Sequence, residues 1–479
     1  MLTRRAFLSQ CMATTLGAQA LISYAARAQS TQKPNILFLF ADDMRFNAIN
    51  ALGTPEIVTP NLDKLVARGT ALTHCHIMGG TSPAVCMPSR AMLMTGRSLF
   101  HLQEEGALIP PTDQTFPELF RSAGYQTFIT GKWHADRATL SRGFTDGDAI
   151  MFGGMSDHLK TPVYDFDPEG LYPKGTAQPA DGFSSTVFSD AAIQFINQRD
   201  AARPFMAYVS YTAPHDPRMA PDTFKNLYTP DTLPLPPNFT GEHAFDNGEL
   251  RVRDELLAPF PRTPEVVREH IAEYYAMISH LDMEIGRVLD ALDASGLADN
   301  TIIVFAADNG LAVGQHGLMG KQSLYDHSVR VPMIFAGPGI PAGRRSDALC
   351  YLYDLFPTLC ELTATPGPST IESQSLAPIL QGKATTSRDA IFAAYRDFQR
   401  LIRLGDWKLI RYNANGQQRT QLFDLKNDPW ELKNLAGNPE QATRMDELNA
   451  LLRKTMRALD DPRNLDREDW GLPIPQEST

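Results

Sequence analysis

At 479 residues, with 43% hydrophobic and 21% charged content, the chain has the composition of a globular protein with room for two or three average domains, or for one large α/β enzyme. Its 55 acidic and 44 basic residues leave a formal charge of −11, which provides no basic footprint for nucleic acid. Any anionic ligand must therefore be held by local positive charge, and the five cysteines do not indicate a disulfide framework.

Taken in chain order, the N-terminus carries Thr3-Arg4-Arg5-Ala6-Phe7-Leu8, a modest apolar stretch from Cys11 to Ala26, and a small-x-small site at Ala26-Arg27-Ala28. This pattern predicts an export signal of twin-arginine type over residues 1–28, delivered by the Tat translocase to the periplasm or beyond, with a general secretory signal or a short anchor as the alternative reading. The apolar stretch is too short and too polar for the ~20 residues of a membrane span, and no later segment approaches one.

Asn35-Ile36-Leu37-Phe38-Leu39-Phe40 is a continuous apolar run of the kind found in a strand buried on both faces of a parallel sheet. It runs into Asp42-Asp43, which read either as metal ligands at a strand's carboxyl end or as a helix N-cap with first-turn acids. Gly79-Gly80-Thr81-Ser82-Pro83 is turn chemistry, and the helix formers after Ser89 place Cys86 near a helix N-terminus. Free amides and the positive end of the helix dipole favour an anion there, and Arg90 adds a fork of donors for its oxygens. The same setting suits a nucleophilic thiolate.

Two further apolar runs end in polar clusters. Gln126-Thr127-Phe128-Ile129-Thr130 leads into Gly131-Lys132-Trp133-His134, and the run 204–211 leads into Ala213-Pro214-His215-Asp216. Residues 219–261, rich in Pro, Asp and Asn, predict a long surface insertion that shapes an entrance. Thr263 and Pro264 then open a helix that Gly296 ends. Thr301-Ile302-Ile303-Val304-Phe305-Ala306-Ala307 repeats the first strand's design and delivers Asp308-Asn309. Three carboxylates and an amide oxygen form a hard donor set suited to Ca²⁺ or Mg²⁺. The loop 314–321 precedes a predicted sheet strand at 330–335. His74 and His76 flank Cys75 without a fitting zinc partner set, and Cys350 and Cys360 read as small buried hydrophobes. From about Ser387 the texture becomes a small antiparallel sheet, closed by a helix from about 439 to 459.

Cys86-Met87-Pro88-Ser89-Arg90, continued through Leu93 to Thr95-Gly96-Arg97, resembles the signature of the type I sulfatases of the alkaline phosphatase-like superfamily, in which the cysteine becomes a formylglycine. Gly131-Lys132-Trp133-His134, Pro214-His215, the loop lysine Lys321 and the run from Leu422 to Asn434-Leu435 are similar to further motifs of that family, in the family's order. The resemblance implies an α/β fold with a large, mostly parallel mixed sheet flanked by helices over residues 33–385, and a small antiparallel C-terminal subdomain over 386–479. It implies Ca²⁺, with Mg²⁺ less favoured, held by Asp42, Asp43, Asp308 and Asn309 with the modified Cys86. Arg90, Lys132 and Lys321 then contact sulfate, His134 does acid/base work on the formylglycine hydrate, and His215 serves the leaving group. His316 fits the pattern without a derived role. The implied activity is hydrolysis of sulfate monoesters of a sulfated carbohydrate or an aryl or alkyl sulfate, after maturation by a formylglycine-generating enzyme. The rivals are a phosphonate or phosphate ester hydrolase of the same superfamily and a non-catalytic binder of sulfated glycans with Cys86 unmodified.

Overall fold

The structure, a computed structural model, describes residues 33–173 and 175–471. The predicted signal at 1–28 lies outside them. An eight-stranded sheet runs in the spatial order Arg344–Ser346, Thr70–Leu72, Met333–Ala336, Thr301–Ala307, Asn35–Ala41, Phe205–Ser210, Gln126–Trp133 and Asp146–Phe152. All neighbours pair in parallel except those of Met333–Ala336, which is the one reversed strand. The sheet is thus mixed and mostly parallel, as the apolar runs predict.

The two central strands are buried at every residue, and so is Phe205–Ser210. A strand covered on both faces has no solvated side on which to alternate, hence the unbroken Ile, Leu, Val and Phe. Each such large side chain contributes roughly 1.5–3 kcal/mol on burial. The Ser184–Gln198 helix packs on three of the strands and on the 31-residue helix Pro264–Ala294. Thr263 caps that long helix by accepting from Val266 N, with Pro264 in the first turn, as its sequence predicts.

The predicted strand at 330–335 is split. Arg330–Val331 joins a separate three-stranded sheet, Pro332 supplies no donor to continue the ladder, and Met333–Ala336 enters the main sheet. The C-terminal strands Ala390–Tyr395, Gln399–Leu404, Trp407–Ala414 and Gln417–Asp424 form an antiparallel meander. A fifth, two-residue strand, Gly79–Gly80, pairs in parallel with Ala390–Tyr395 and ties this sheet to the chain just before Cys86. The helix predicted for 439–459 is Ala442–Ala458. No helix among the described residues is long and apolar enough to cross a membrane.

Gly131 sits at a register shift in the strand that carries Lys132, at φ 86°. A Cβ there would stand 2.0 Å from the Ser210 carbonyl oxygen of the neighbouring strand. Gly124 has a similar φ, 92°, but a Cβ at that position would meet nothing within 4 Å. Gly131→Ala is therefore expected to cost about 4 kcal/mol or more in chemical denaturation, against roughly 1–2 kcal/mol for Gly124→Ala. Equal losses would contradict this account of the strand.

Candidate active site

Four adjacent strands of the main sheet end at one place. Ala41 and Ala307 are register partners, and Asp308 N continues the ladder by donating to Ala41 O at 3.2 Å, so Asp42 and Asp308 leave the sheet side by side. Asp43 adopts φ 66°, a left-handed conformation that Asp tolerates, and its N–H donates to Asp308 Oδ1 at 3.1 Å. Asn309 Nδ2 donates to Asp43 Oδ1 at 2.7 Å. The pairs Asp42-Asp43 and Asp308-Asn309, 265 residues apart, thus share one buried space beyond the strands' carboxyl ends, the usual ligand position in open α/β sheets.

Cys86 is the first residue of the helix Cys86–Thr95, which is buried at every position but Met87 and ends on Gly96 at φ 69°. Ser89 and Arg90 anchor this helix to the carboxylates. Ser89 Oγ donates to Asp308 O at 2.6 Å, and Arg90 Nε donates to Asp308 Oδ2 at 2.8 Å. Arg90 Nη1 donates to Ser210 Oγ at 2.6 Å, and the guanidinium lies over the Phe40 ring. Lys132 Nζ reaches Asp42 Oδ2 at 2.5 Å, Gly154 O at 2.6 Å and Cys86 Sγ at 3.7 Å. Lys321 Nζ donates to Asp43 Oδ1 at 2.6 Å, and His134 Nδ1 lies 3.4 Å from Cys86 Sγ. His215 Nε2 is 3.6 Å from Asp43 Oδ2, while its Nδ1 donates to Asp216 O at 2.8 Å, which leaves Nε2 facing the pocket. All ten predicted site residues come together.

Burial would push every carboxyl in this cluster toward neutrality. For Asp42 the opposing charge of Lys132, His215 and Arg90 outweighs that burial and holds it below the usual range, whereas Asp308 is raised by burial and by Asp42 beside it. Burial works to lower Lys321, but Asp43 overrides it and holds the ammonium well above its ordinary value. His134 is pushed down to about 2 by burial and by Lys132, so it stands neutral beside the thiol. Cys86 is raised by burial despite Lys132 and Lys321. Burial thus disfavours the thiolate at this position, against the pull of the two lysines.

The donors fit a hard cation. Asp42 Oδ1, Asp43 Oδ2 and Asn309 Oδ1 are buried oxygens without a hydrogen-bond partner, although each of these side chains is otherwise engaged. Buried acceptors are normally satisfied, and three orphans converging from two strand ends match the oxygen set of Ca²⁺ or Mg²⁺. Asp42 and Asp308 also group with Cys86, and Asp42 and Asp43 with His215, within 4.8 Å.

A pocket of about 260 Å³ opens from Cys86, His134, His215 and Lys321 past Pro83, Ala84, Met155, Val252, Arg253, Asp254 and Gln322. The last four were not legible in sequence, being single residues in aperiodic loops. Gln322 Nε2 donates to Asp254 Oδ2 at 2.7 Å and Pro83 O at 3.0 Å, joining three loops. Glu255 is buried in the predicted surface insertion and accepts from Met319 N and Gly320 N, both at 2.9 Å, thereby holding the Lys321 loop. His158, also missed, bonds His215 O at 2.9 Å. His316 stacks on Tyr325 at 4.0 Å and accepts from Asn238, which makes it a loop support rather than a pocket residue. Cys75, Cys86, Cys350 and Cys360 are free thiols.

Fixed cations and hard oxygen donors converging on one position, residue 86, make a site for a tetrahedral oxyanion ester. The sulfatase family matches residues 34–365, and the family described as N-sulphoglucosamine sulphohydrolase, C-terminal, matches residues 314–458. The chain belongs to the sulfatase family and is a sulfuric ester hydrolase with the alkaline phosphatase-like fold. It is similar to the N-acetylglucosamine-6-O-sulfatase of Bacteroides thetaiotaomicron, with 29% identity over 93% of this chain and 90% of that protein. A protein solved in complex with its substrate D-glucosamine-2-N,6-O-disulfate superposes with a TM-score of 0.75 at 26% identity, covering 90% of this chain and 99% of the other. The phosphonate monoester hydrolase of Agrobacterium radiobacter shares the fold, with a TM-score of 0.72 at 23% identity over 89% of this chain and 96% of that one.

Calcium added to metal-stripped protein is expected to raise the melting temperature by on the order of 5 °C at a hundredfold excess over Kd. Asp308→Asn should abolish that shift. The amide is preferable to alanine, because removing the whole side chain strands the buried Arg90 guanidinium at a cost of about 3–5 kcal/mol. An undiminished calcium shift in Asp308→Asn, or stabilisation by zinc alone, would contradict the proposed ligand set.

Proposed function

We propose that the protein is exported by a twin-arginine signal and hydrolyses the sulfate ester of a sulfated sugar, using formylglycine at position 86 and a Ca²⁺ ion. The observation that carries this reading is the placement of Cys86 Sγ at the first residue of a buried helix, 3.7 Å from Lys132 Nζ and 3.4 Å from His134 Nδ1, beside the clustered carboxylates. Hydrated formylglycine supplies two hydroxyls at this point, one to form the bond to sulfur and one whose deprotonation releases sulfate. A divalent cation held by Asp42, Asp43, Asp308, Asn309 and the modified residue 86 supplies positive charge for the sulfate oxygens.

The chain's own groups account for the rest. Asp42, Asp43 and Asp308 face Arg90, Lys132 and Lys321, so the cluster is balanced in charge before any ion or ester enters. Lys132 and Lys321 flank the reacting position and bind sulfate oxygens, and Arg90, fixed between Asp308 and Ser210, orients the first helical turn. His215, with Nδ1–H held by Asp216 O, acts as the imidazolium and passes its Nε2 proton to the departing alcohol oxygen, and neutral His134 accepts a proton from the hydroxyl at residue 86. The sugar reading is supported by the N-acetylglucosamine-6-O-sulfatase relative and by the glucosamine disulfate bound to the structural neighbour. Maturation requires a formylglycine-generating enzyme acting before folding, since Cys86 is 2% exposed in the folded chain.

Turnover of an aryl sulfate and of the matching aryl phosphate separates this reading from a phosphate or phosphonate ester hydrolase. The sulfate is expected to react at least tenfold faster, and the reverse order would reject the assignment. Cys86→Ala should lower turnover by about 10³-fold or more while retaining affinity for sulfate, because the cations and the other four metal ligands remain. Replacement of Arg4 and Arg5 by Lys is expected to leave the protein in the cytoplasm; unchanged delivery would rule out twin-arginine export.

A further inference from the structure

The mouth of the active-site pocket is built by residues 252–254 of the insertion and by Met155 opposite. Arg253 is 47% exposed there, so a ligand can reach it. Of the five N–H groups of its guanidinium, three are engaged: Nη1 with Asp216 Oδ2 at 2.5 Å, and Nη2 with Asp216 Oδ1 at 2.9 Å and Asp254 Oδ1 at 2.7 Å. The Nε–H and one Nη1–H remain for a ligand, beside carboxylate oxygens that keep spare lone pairs. A hydroxyl is the group that both accepts from such an N–H and donates to such an oxygen.

The charges at the mouth are already paired. Arg253 lies between two carboxylates, Asp216 and Asp254, both held in the ionised range by their cationic neighbours against the effect of burial. Lys321 is engaged by Asp43, and Arg218, whose Nη1 bonds His270 Nδ1 while Nε and Nη2 have no partner, does not line this pocket. Among the described residues, the Lys and Arg side chains that line the pocket are Arg253 and Lys321, and neither is left over for a second anionic group on the substrate. Among the described residues, none of those lining the pocket is Phe, Tyr or Trp, so they offer no such aromatic face to hold a quaternary ammonium or stack an aryl ring. It does present Pro83, Ala84, Val252 and the exposed Met155, an aliphatic wall suited to the C–H face of a saturated ring.

We propose that Arg253, with Asp254, is the specificity subsite for the alcohol half of the substrate and takes a neutral, polyhydroxylated sugar ring bearing no second anionic group at this point. This rests on the sulfatase reading above and narrows its substrate class. Arg253 binds ring hydroxyls through Nε–H and Nη1–H, Asp254 accepts from them, and Met155 and Val252 cover the ring's apolar face. The fork geometry, rather than positive charge alone, carries the recognition, so lysine is no substitute.

The test measures kcat/KM of the mature enzyme on a panel of neutral monosulfated hexoses and N-acetylhexosamines, on glucosamine-2-N,6-O-disulfate and on 4-nitrophenyl sulfate. The wild type is expected to favour the best neutral monosulfated sugar at least tenfold over both other substrates. Arg253→Met and Arg253→Lys should each lose about 100-fold on that sugar, mainly in KM, and the loss should exceed that on 4-nitrophenyl sulfate by at least tenfold. Equal losses on the sugar and on 4-nitrophenyl sulfate would overturn the proposal and leave Arg253 a support for Asp216 and His215. A wild-type preference for the disulfate, or turnover of 4-nitrophenyl sulfate with none of the neutral sugars, would also overturn it. Failure to hydrolyse any sulfate ester would instead reject the underlying reading, and the subsite with it.

Discussion

The pairing of Asn35–Ala41 with Thr301–Ala307 brings three carboxylates to one dry place, and the rest of the site follows from the need to balance them. An uncompensated buried ion costs several kcal/mol even after relaxation, and three together would unfold a protein whose net stability is about 5–15 kcal/mol. Arg90, Lys132 and Lys321 answer that cost one for one, each within 2.8 Å of a carboxylate oxygen. Two of these cations, Lys132 and Lys321, are also the groups a sulfate ester needs, and Arg90 holds the helix that carries residue 86. Structural balance in the resting enzyme and charge stabilisation during turnover therefore share the two lysines. The three orphaned oxygens of Asp42, Asp43 and Asn309 are what remains for a divalent ion.

Because the cations come from separate segments, the fold must hold those segments to the sheet's carboxyl edge. The glycine at 131 lets its strand pass close to Ser210, so that Lys132 and His134 emerge at the right depth. Glu255 holds the Lys321 loop through Met319 and Gly320, and Gln322 joins that loop to the turn before Cys86. The C-terminal sheet contributes through Gly79–Gly80 and through the buried Lys408, which bridges Asp326 and Glu431 just beyond the Lys321 loop. The insertion and the C-terminal sheet therefore act as fasteners for the site as well as cover.

Much of this was legible in the residues. Unbroken apolar runs mark strands buried on both faces, and the acids that follow them, at 42–43 and 308–309, mark the carboxyl edge. The short string around Cys86 marks the reacting position. What escaped has physical reasons. Gln399–Leu404 reads Gln-Arg-Leu-Ile-Arg-Leu, with two arginines that the fold buries against Asp461 and Gly405, so its pattern does not announce a strand. The two-residue strand Gly79–Gly80 looks like a turn because its pairing partner lies more than 300 residues away. The reversal of Met333–Ala336 depends on long-range packing rather than on local pattern. Asp254, Glu255 and Gln322 sit in segments without periodicity, where only contact with distant loops defines their roles.

Everything proposed for the chemistry turns on the state of residue 86. Mass spectrometry of the tryptic peptide spanning residues 69–90, after alkylation of the mature enzyme, reads it directly, since that peptide contains Cys75 and Cys86 together. One alkylated cysteine is expected, at position 75, and at position 86 a lighter residue whose aldehyde reacts with a hydrazide. Full sulfatase activity from a preparation in which position 86 is entirely cysteine would contradict the formylglycine mechanism.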